Sequence, residues 1–175
     1  QFQQKFTIKD LGEPKLFLGI RINISNELIT LDQTNYIKET IDQFNLKESK
    51  NSNIPLNNSI KLSKEQCPTN DEEINKMKDI PYRCLVGKLN YLANWTRPDI
   101  SLSISKLSMF LENPGEIHWK EGKRVLRYLK STQEKKYIIK PEDNSIILFT
   151  DADWAGDINS RKSTSGYCLF YGNSL

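Results

Sequence analysis

Apolar residues recur along this chain with two different spacings, and the change between them predicts its secondary structure. Residues 15–24 and 28–31 have the composition of β-strands, and the polar residues 25–27 supply a turn between them. From Asp32 to Ser131 the apolar spacing is mainly that of helices, and after Ser131 it returns to that of strands. The sequence therefore predicts an α+β chain with an N-terminal β-hairpin, a mainly helical middle and a β-rich C-terminal end.

The start of each helix in the middle of the chain is predicted from its capping residues. Asp32 can cap the first helix, and Pro81 is suited to the first turn of the second. Thr96 and Asp99 have the T-x-x-D spacing of a capping box, which predicts that a third helix begins there. A fourth helix is predicted from the apolar spacing that follows Asn113, Pro114 and Gly115.

Residues 47–79 separate the first and second predicted helices and have a different composition. They are rich in Asn, Ser and Lys and carry only isolated apolar residues, which predicts a long surface loop. The acidic run at residues 71–73 lies within this loop without flanking strands. It is therefore interpreted as solvated charge rather than as a catalytic group.

The fourth predicted helix, from about Glu116 to Ser131, has the strongest charge pattern in the chain. Its apolar side carries Trp119, Gly122, Val125, Leu126 and Leu129. Its other side carries Lys120, Lys123, Arg124, Arg127 and Lys130. Such a row of cations can lie along a nucleic-acid phosphate backbone without reading sequence. The alternative is an ordinary solvated face, because Lys and Arg are common surface residues.

A pair of carboxylates follows an apolar strand near the C-terminus. Residues 146–149 are apolar on both sides of the predicted strand, as expected for a strand covered by helices. Asp151 and Asp153 would share one face if the strand extends that far. Two such close carboxylates can be neutralised by a hard divalent cation, but Asp is common wherever strands turn, and from this stretch alone an Asx turn that ends the strand is the favoured explanation.

Composition sets limits on the class of protein. The 175 residues suit one domain or two small ones, and 37% hydrophobic content is enough for a packed core. The N-terminal residues do not have the composition of a signal peptide, and no apolar run approaches membrane-spanning length, so an intracellular protein without a membrane partner is expected. The three cysteines are far apart and support neither a disulfide framework nor a zinc site. The net charge of +3 is too small to indicate a nucleic-acid partner by itself.

Residues 149–157 and 161–167 resemble the opening of the ribonuclease H domain in the Pol polyproteins of copia-type (Pseudoviridae) LTR retrotransposons. The resemblance implies that Asp151 is a catalytic residue and the first of four acidic metal ligands. Asp153 belongs to the same motif and is a weaker candidate ligand. The implied cofactor is Mg²⁺ or Mn²⁺ in the intact enzyme, and tight binding by this chain alone is not expected.

Further segments extend the resemblance over nearly the whole chain. Residues 6–20 resemble the end of the copia-type reverse transcriptase palm, which implies that Gly19 and its neighbours hold the primer strand. From the sequence alone, a β-bulge at Gly19 is an equally good explanation. The thumb and the connection to ribonuclease H are resembled by residues 82–92, 96–100 and 123–132. The implied domains are the palm end at 1–31, the thumb and connection at 32–133, and the first ribonuclease H strands at 134–175.

Apart from Asp151, the residues that carry the chemistry of these enzymes are absent from the sequence. No aromatic-x-Asp-Asp motif is present, and the remaining ribonuclease H carboxylates are expected beyond Leu175. The chain is therefore predicted to be a reverse transcriptase/ribonuclease H fragment that is inactive alone. Its expected partners are an RNA–DNA hybrid or primer–template duplex and the remainder of the Pol polyprotein. A non-catalytic nucleic-acid-binding module and an accessory subunit are the alternatives.

Overall fold

The computed structural model of the chain describes residues 7, 9, 12–57, 59–140, 142–172 and 174–175. Much of the predicted palm segment before Gly12 therefore lies outside the described residues. The strands are β1 (Leu16–Phe17), β2 (Ile20–Ile24), β3 (Ile29–Asp32), β4 (Tyr137–Ile139), β5 (Ile146–Ala152) and β6 (Ser165–Tyr171). The α-helices are α1 (Thr34–Gln43), α2 (Asp71–Lys78), α3 (Tyr82–Trp95), α4 (Ser101–Ser108) and α5 (Glu116–Ser131). Helices and strands are thus combined in one α+β chain.

The N-terminal strands form an antiparallel sheet in the order β1-β2-β3-β4. The predicted hairpin is present as β2 and β3, with Ile22 opposite Leu31. Gly19 was expected inside a strand, but it lies in the two-residue turn between β1 and β2. Leu18 and Gly19 both have positive φ, at 50° and 79°, as type I′ hairpin turns require. The requirement for a positive φ in this turn, rather than a β-bulge, explains why glycine occupies position 19.

Strand β4 joins the two ends of the chain in one sheet. Ile138 pairs with Thr30 of β3, so β4 completes the N-terminal sheet. This strand comes from the segment 134–175 that was assigned to the ribonuclease H part. The proposed boundary between residues 133 and 134 therefore does not separate two sheets.

The core lies between α3 and α5, with α1 and α4 packed around them. It contains Ile37, Ile41, Leu85, Leu89, Leu92, Ile104, Leu107, Val125, Leu126 and Leu129. Helix α5 spans the residues predicted for it, and its apolar side is the buried one, with Trp119 partly buried at the edge of the core. Gly122 allows close packing, because a Cβ there would lie 2.9 Å from Cδ2 of Leu85.

The predicted capping box at the start of the third helix is wrong. A 3₁₀ turn, Pro98–Ile100, precedes α4, and no side chain caps that helix. The Thr96 hydroxyl instead donates to Oε1 of Gln33 at 2.8 Å. The Asp99 carboxylate accepts from the buried Arg97 guanidinium at 2.8 Å. The Asp99 carboxylate thus neutralises the buried Arg97 guanidinium instead of capping the helix, as the motif had predicted.

The predicted loop 47–79 contains helix α2 and a 3₁₀ turn, Lys64–Gln66. The Asn70 side chain caps α2 by accepting from the Glu73 amide at 3.0 Å. The Glu73 carboxylate reaches back to the Thr69 amide at 2.9 Å. The acidic run 71–73 therefore occupies the first turn of a helix, where the helix dipole favours negative charge.

Strands β5 and β6 form a separate two-stranded hairpin, with Phe149 opposite Cys168. The apolar residues of β5 were expected to be covered by helices. In the structure Leu148 is 57% exposed and Phe149 62% exposed, although their side chains point to opposite faces. Both faces of the hairpin are thus open. The three cysteines are free, and no helix in the described ranges is long and apolar enough to cross a membrane.

Candidate functional site

Asp151 lies near the end of β5, on a strand that exposes every one of its residues. Its cross-strand partner is Gly166, and no atom lies within 4 Å of the position that a Cβ would occupy there. Within the part of the chain that the structure describes, no hydrogen bond or ion pair involves the Asp151 carboxylate. The carboxylate is therefore accessible, and open space faces it across the hairpin.

Asp153 does not share this freedom. Its Oδ1 accepts from the Thr164 amide at 2.6 Å, and its own amide donates to the Thr164 carbonyl at 3.0 Å. Gly156 packs against the same carboxylate, because a Cβ there would lie 2.1 Å from Oδ2. The structure thus shows Asp153 bracing the loop after β5.

Asp157 was not singled out from the sequence, yet it organises the tip of the same loop. Its carboxylate accepts from the Ser160 hydroxyl, from the Ser160 amide at 2.9 Å and from the Asn159 amide at 3.2 Å. These hydrogen bonds, that of the Ser160 hydroxyl first, lower the pKa of Asp157. The order Asp-x-Asn-Ser is typical of an Asx turn and could have indicated this role.

A divalent cation needs several oxygen ligands, and the described residues do not supply them. Asp151 offers one accessible carboxylate, whereas Asp153 accepts a hydrogen bond from the backbone. Within the described ranges no three His, Cys, Asp or Glu residues are grouped so that they could hold a metal ion. Since Mg²⁺ prefers near-octahedral oxygen coordination, these residues alone do not fit the ion.

The five cations predicted on α5 differ in what they contact. Lys120 pairs with Glu116 at 2.7 Å, and Arg124 pairs with Glu121 at 3.2 Å. Glu121 is buried within this basic helix, which was a signal that one of the cations would need to neutralise it. Two of the five cations are thus neutralised within α5.

Lys130 stabilises the chain rather than facing solvent freely. Its ammonium donates to the carbonyls of Lys47 and Ser49, the latter at 2.8 Å. Three residues after Ser49, the Ser52 carbonyl accepts from the Ser131 hydroxyl at 2.8 Å. The polar segment 47–57 therefore lies against part of the face that was predicted to bind phosphates.

Lys123 and Arg127 are the α5 cations that remain. Both are half-buried, and neither forms an ion pair with a carboxylate of the described residues. The Lys123 ammonium lies 5.3 Å from the centroid of the Trp119 ring. An ammonium in such a cation–π contact keeps its charge and can still approach a phosphate from its open side.

The turn that contains Gly19 is held against two helices. A Cβ on Gly19 would lie 4.0 Å from the Tyr36 ring of α1. The Tyr91 hydroxyl of α3 donates a hydrogen bond to the Leu18 carbonyl. Phe17 and Leu18 at the tip of the hairpin are exposed. The helices thus fix the position of the turn while its tip stays accessible.

Two retrotransposon polyproteins are similar in sequence to this chain over nearly its whole length. The chain is 41% identical over 170 residues to a retrovirus-related Pol polyprotein from transposon TNT 1-94 of Nicotiana tabacum, covering 96% of the chain and 13% of that relative. It is 37% identical over 172 residues to the Pol polyprotein from transposon RE1 of Arabidopsis thaliana, covering 97% of the chain and 11% of that relative.

A shorter relative shows the same likeness. An uncharacterized mitochondrial protein of Arabidopsis thaliana, AtMg00810, is 33% identical over 180 residues, which cover all of the chain and 70% of that protein. No family model and no solved structure matches the chain. The chain belongs to the copia-type retrovirus-related Pol polyproteins of transposons. It spans only about an eighth or less of the two long polyproteins, 13% and 11%.

Proposed function

We propose that this chain is the part of a Pol polyprotein that links reverse transcriptase to ribonuclease H and holds the nucleic-acid duplex between them. Its membership of the Pol family supports the context, and the pattern of cations supports the partner. The chain itself supplies binding rather than catalysis. In the intact polyprotein, RNA-directed DNA synthesis takes place outside this chain, and hydrolysis of RNA in the hybrid takes place at a centre to which the chain contributes Asp151.

The observation that carries this proposal is the difference between the α5 cations. Lys120 and Arg124 are neutralised by glutamates of the same helix, whereas Lys123 and Arg127 have no such partner among the described residues. Both side chains remain partly exposed on a helix whose opposite side is anchored in the core. Rigidly positioned cations bind a phosphate backbone by releasing its counterions, and the affinity then does not depend on sequence.

We expect the 175-residue chain to bind a 20-base-pair RNA–DNA hybrid weakly and with steep salt dependence. The logarithm of the affinity should fall by about 0.9 for each phosphate contact per tenfold increase in salt. The double charge reversal K123E/R127E should lower that slope by about two and weaken binding on the order of tenfold or more at 0.1 M salt. Fluorescence anisotropy of a labelled hybrid at several salt concentrations measures both quantities.

The matched control reverses two exposed lysines elsewhere, Lys38 of α1 and Lys78 of α2, which form no ion pair with a described residue. The K38E/K78E variant changes the net charge equally and should bind almost as the parent does. If both double variants weaken binding to the same extent, the effect is one of net charge, and α5 is an ordinary solvated face.

The second part of the proposal concerns Asp151, which would be a ligand for Mg²⁺ or Mn²⁺ when the remaining carboxylates are supplied by the longer polyprotein. Asp153 is the weaker candidate, because its carboxylate already accepts a hydrogen bond from the Thr164 amide. Bound metal ions would supply the charge stabilisation for in-line displacement at phosphorus. The role of this chain is to hold the Asp151 carboxylate at an accessible strand end, facing the open space at Gly166.

The D151N substitution should separate the two activities of the intact polyprotein. Loss of one negatively charged ligand is expected to abolish hybrid cleavage while primer extension continues at the parental rate, because Asp151 lies outside the polymerase centre. The 175-residue chain alone should cleave no hybrid in the presence of magnesium. Cleavage by that chain, lost on D151N substitution, would refute the assignment of binding without catalysis.

A stand-alone binding module is the second candidate function. The mitochondrial relative favours it, because the chain covers 70% of that protein rather than a small part of a long polyprotein. The genomic DNA on both sides discriminates between the two functions. Continuous reading frames for capsid-like and integrase regions support a polyprotein segment, whereas a start and a stop codon close to the ends of this chain support the module.

A further inference from the structure

A second group of cations lies where the loop between β5 and β6 meets the helical part of the chain. We call it the junction patch, and it consists of Lys61, Lys64, Lys106, Arg161 and Lys162. All five residues are exposed, and none forms an ion pair with a carboxylate in the described ranges. By this measure the junction patch is more available to an external anion than the α5 face is.

One hydrogen bond and one shared cavity bring the three segments of the junction patch together. The Lys64 amide donates to Oδ1 of Asn159 at 2.8 Å, which joins the tip of the β5–β6 loop to the segment after residue 59. A cavity of about 210 Å³ is bordered by Lys61 and Lys106 from the helical part and by Asp157 and Ile158 from the loop. The five cations thus come from parts of the chain that are far apart in sequence.

The carboxylates at this junction do not neutralise the patch by ion pairing. Asp153 accepts from the Thr164 amide, and Asp157 accepts from the backbone and side chains of Asn159 and Ser160. Both carboxylates therefore stabilise the loop that carries Arg161 and Lys162. The cations outnumber these two carboxylates, so the surface favours a polyanion.

The position of the patch relative to Asp151 follows from the strand pairing. Asp151 is opposite Gly166. The segments that leave β5 and enter β6 remain hydrogen-bonded beyond the strands, where the Asp157 amide donates to the Lys162 carbonyl at 3.2 Å. Lys162 is four residues from Gly166, so the chain between them spans at most roughly 13 Å. That upper limit is about four base-pair steps of a duplex.

We propose that the junction patch binds the sugar–phosphate backbone of an RNA–DNA hybrid within about four base pairs of Asp151 and so positions the hybrid on that carboxylate. This inference rests on the proposed function, since it assigns a further surface to the same duplex. Contacts come from both the helical part and the β5–β6 loop. One bound duplex therefore spans the junction and fixes the hairpin relative to the helices.

Two double variants of the 175-residue chain test the inference. K61E/K106E changes the helical side of the junction patch, and R161E/K162E changes the loop side. Because one duplex contacts both sides, each variant should bind a labelled 20-base-pair hybrid on the order of tenfold more weakly at 0.1 M salt. Each should also lower the salt slope by about two, whereas K38E/K78E should match the parent.

The glutamine versions, K61Q/K106Q and R161Q/K162Q, should weaken binding by a smaller factor, and they replace any reversal variant whose circular dichroism spectrum shows loss of folding. If the parent binds but only one of the two sides weakens binding, or neither does, the junction patch is not a duplex site and the inference is overturned. The proposal that Lys123 and Arg127 of α5 bind the duplex is then decided separately, by the binding of the K123E/R127E variant. If the parent does not bind the hybrid at any salt concentration, both proposals are refuted.

Discussion

Asp99→Ala is expected to lower the free energy of unfolding by about 3 kcal/mol, because it leaves a buried guanidinium without its counterion. The side chain of Arg97 is only 2% exposed. Its Nε and Nη2 donate to the two oxygens of Asp99 at 3.0 and 2.8 Å. Urea unfolding followed by circular dichroism measures the loss.

The surroundings of this pair explain the size of the effect. Arg97 also donates to the carbonyl and hydroxyl of Thr132 at 3.1 and 2.6 Å, and the Tyr128 hydroxyl donates to Asp99 at 2.7 Å. Burial alone would raise the pKa of Asp99, but hydrogen bonds from Arg97 and Tyr128 outweigh it and lower the pKa. The carboxylate is thus held in its charged form, which the buried cation requires.

The double variant R97M/D99A is the control for this interpretation. Methionine occupies a similar volume without a charge, so the double variant should be at least as stable as D99A alone. The two substitutions should therefore be strongly non-additive in a double-mutant cycle. If R97M and D99A instead add in full, the loss comes from packing and the ion pair has little influence.

A fall in stability of about 2 kcal/mol is expected between pH 7.5 and pH 5, and His118 is its source. The fully buried imidazole has a pKa lowered to about 4, because burial disfavours the charged ring and the nearby Ser63 backbone offsets only part of this. An unfolded histidine has a pKa of about 6.5. The contribution of His118 to folding stability is therefore complete above pH 6.5 and is lost as the pH falls from 6.5 towards 4.

The contacts of His118 show why protonation of its imidazole is unfavourable in the folded chain. Nδ1 accepts from the Gly115 amide at 2.8 Å, and the ring stacks on Phe110 with centroids 3.9 Å apart. Protonation of Nδ1 would set two donors against each other. Gly115 itself packs closely against Gln66, because a Cβ on it would lie 1.8 Å from the Gln66 carbonyl oxygen.

The window between pH 5 and pH 7.5 isolates this group, because the chain has a single histidine. The carboxylates with lowered pKa, such as Asp32 and Asp99, lose their contributions only as the pH falls below about 4. The H118N variant keeps a hydrogen-bond acceptor without a titrating ring. The unfolding free energy of H118N, from urea titrations, should be nearly the same at the two pH values. If H118N instead loses as much stability between pH 7.5 and pH 5 as the parent does, His118 is excluded as the cause.

The elements that sequence predicted well are those with a long and regular apolar pattern. Helix α5 repeats its apolar positions over four turns, and its pattern therefore fixed both ends. Helix α2 has eight residues, none of them buried, so it depends on the Asn70 cap rather than on periodicity. The turn at Gly19 also depends on backbone conformation, which apolar spacing does not report.

The candidate site was less predictable, because its properties depend on contacts between distant residues. A helical wheel placed Lys130 on a free basic face, but the carbonyls of Lys47 and Ser49 occupy its ammonium. Strand alternation placed Asp153 beside Asp151, but the Asp153 carboxylate accepts a hydrogen bond from the Thr164 amide. The junction patch has no signal in the sequence, since its cations meet only through the folded chain.

The open β5–β6 hairpin has a consequence for the isolated chain in solution. Its two strands expose apolar side chains on both faces, among them Ile146, Leu148, Phe149 and Leu169. Each outer edge presents backbone donors and acceptors that another strand can pair with, and such edges are templates for aggregation. Colloidal stability of the chain therefore falls as its concentration rises, so dilute conditions favour the monomer.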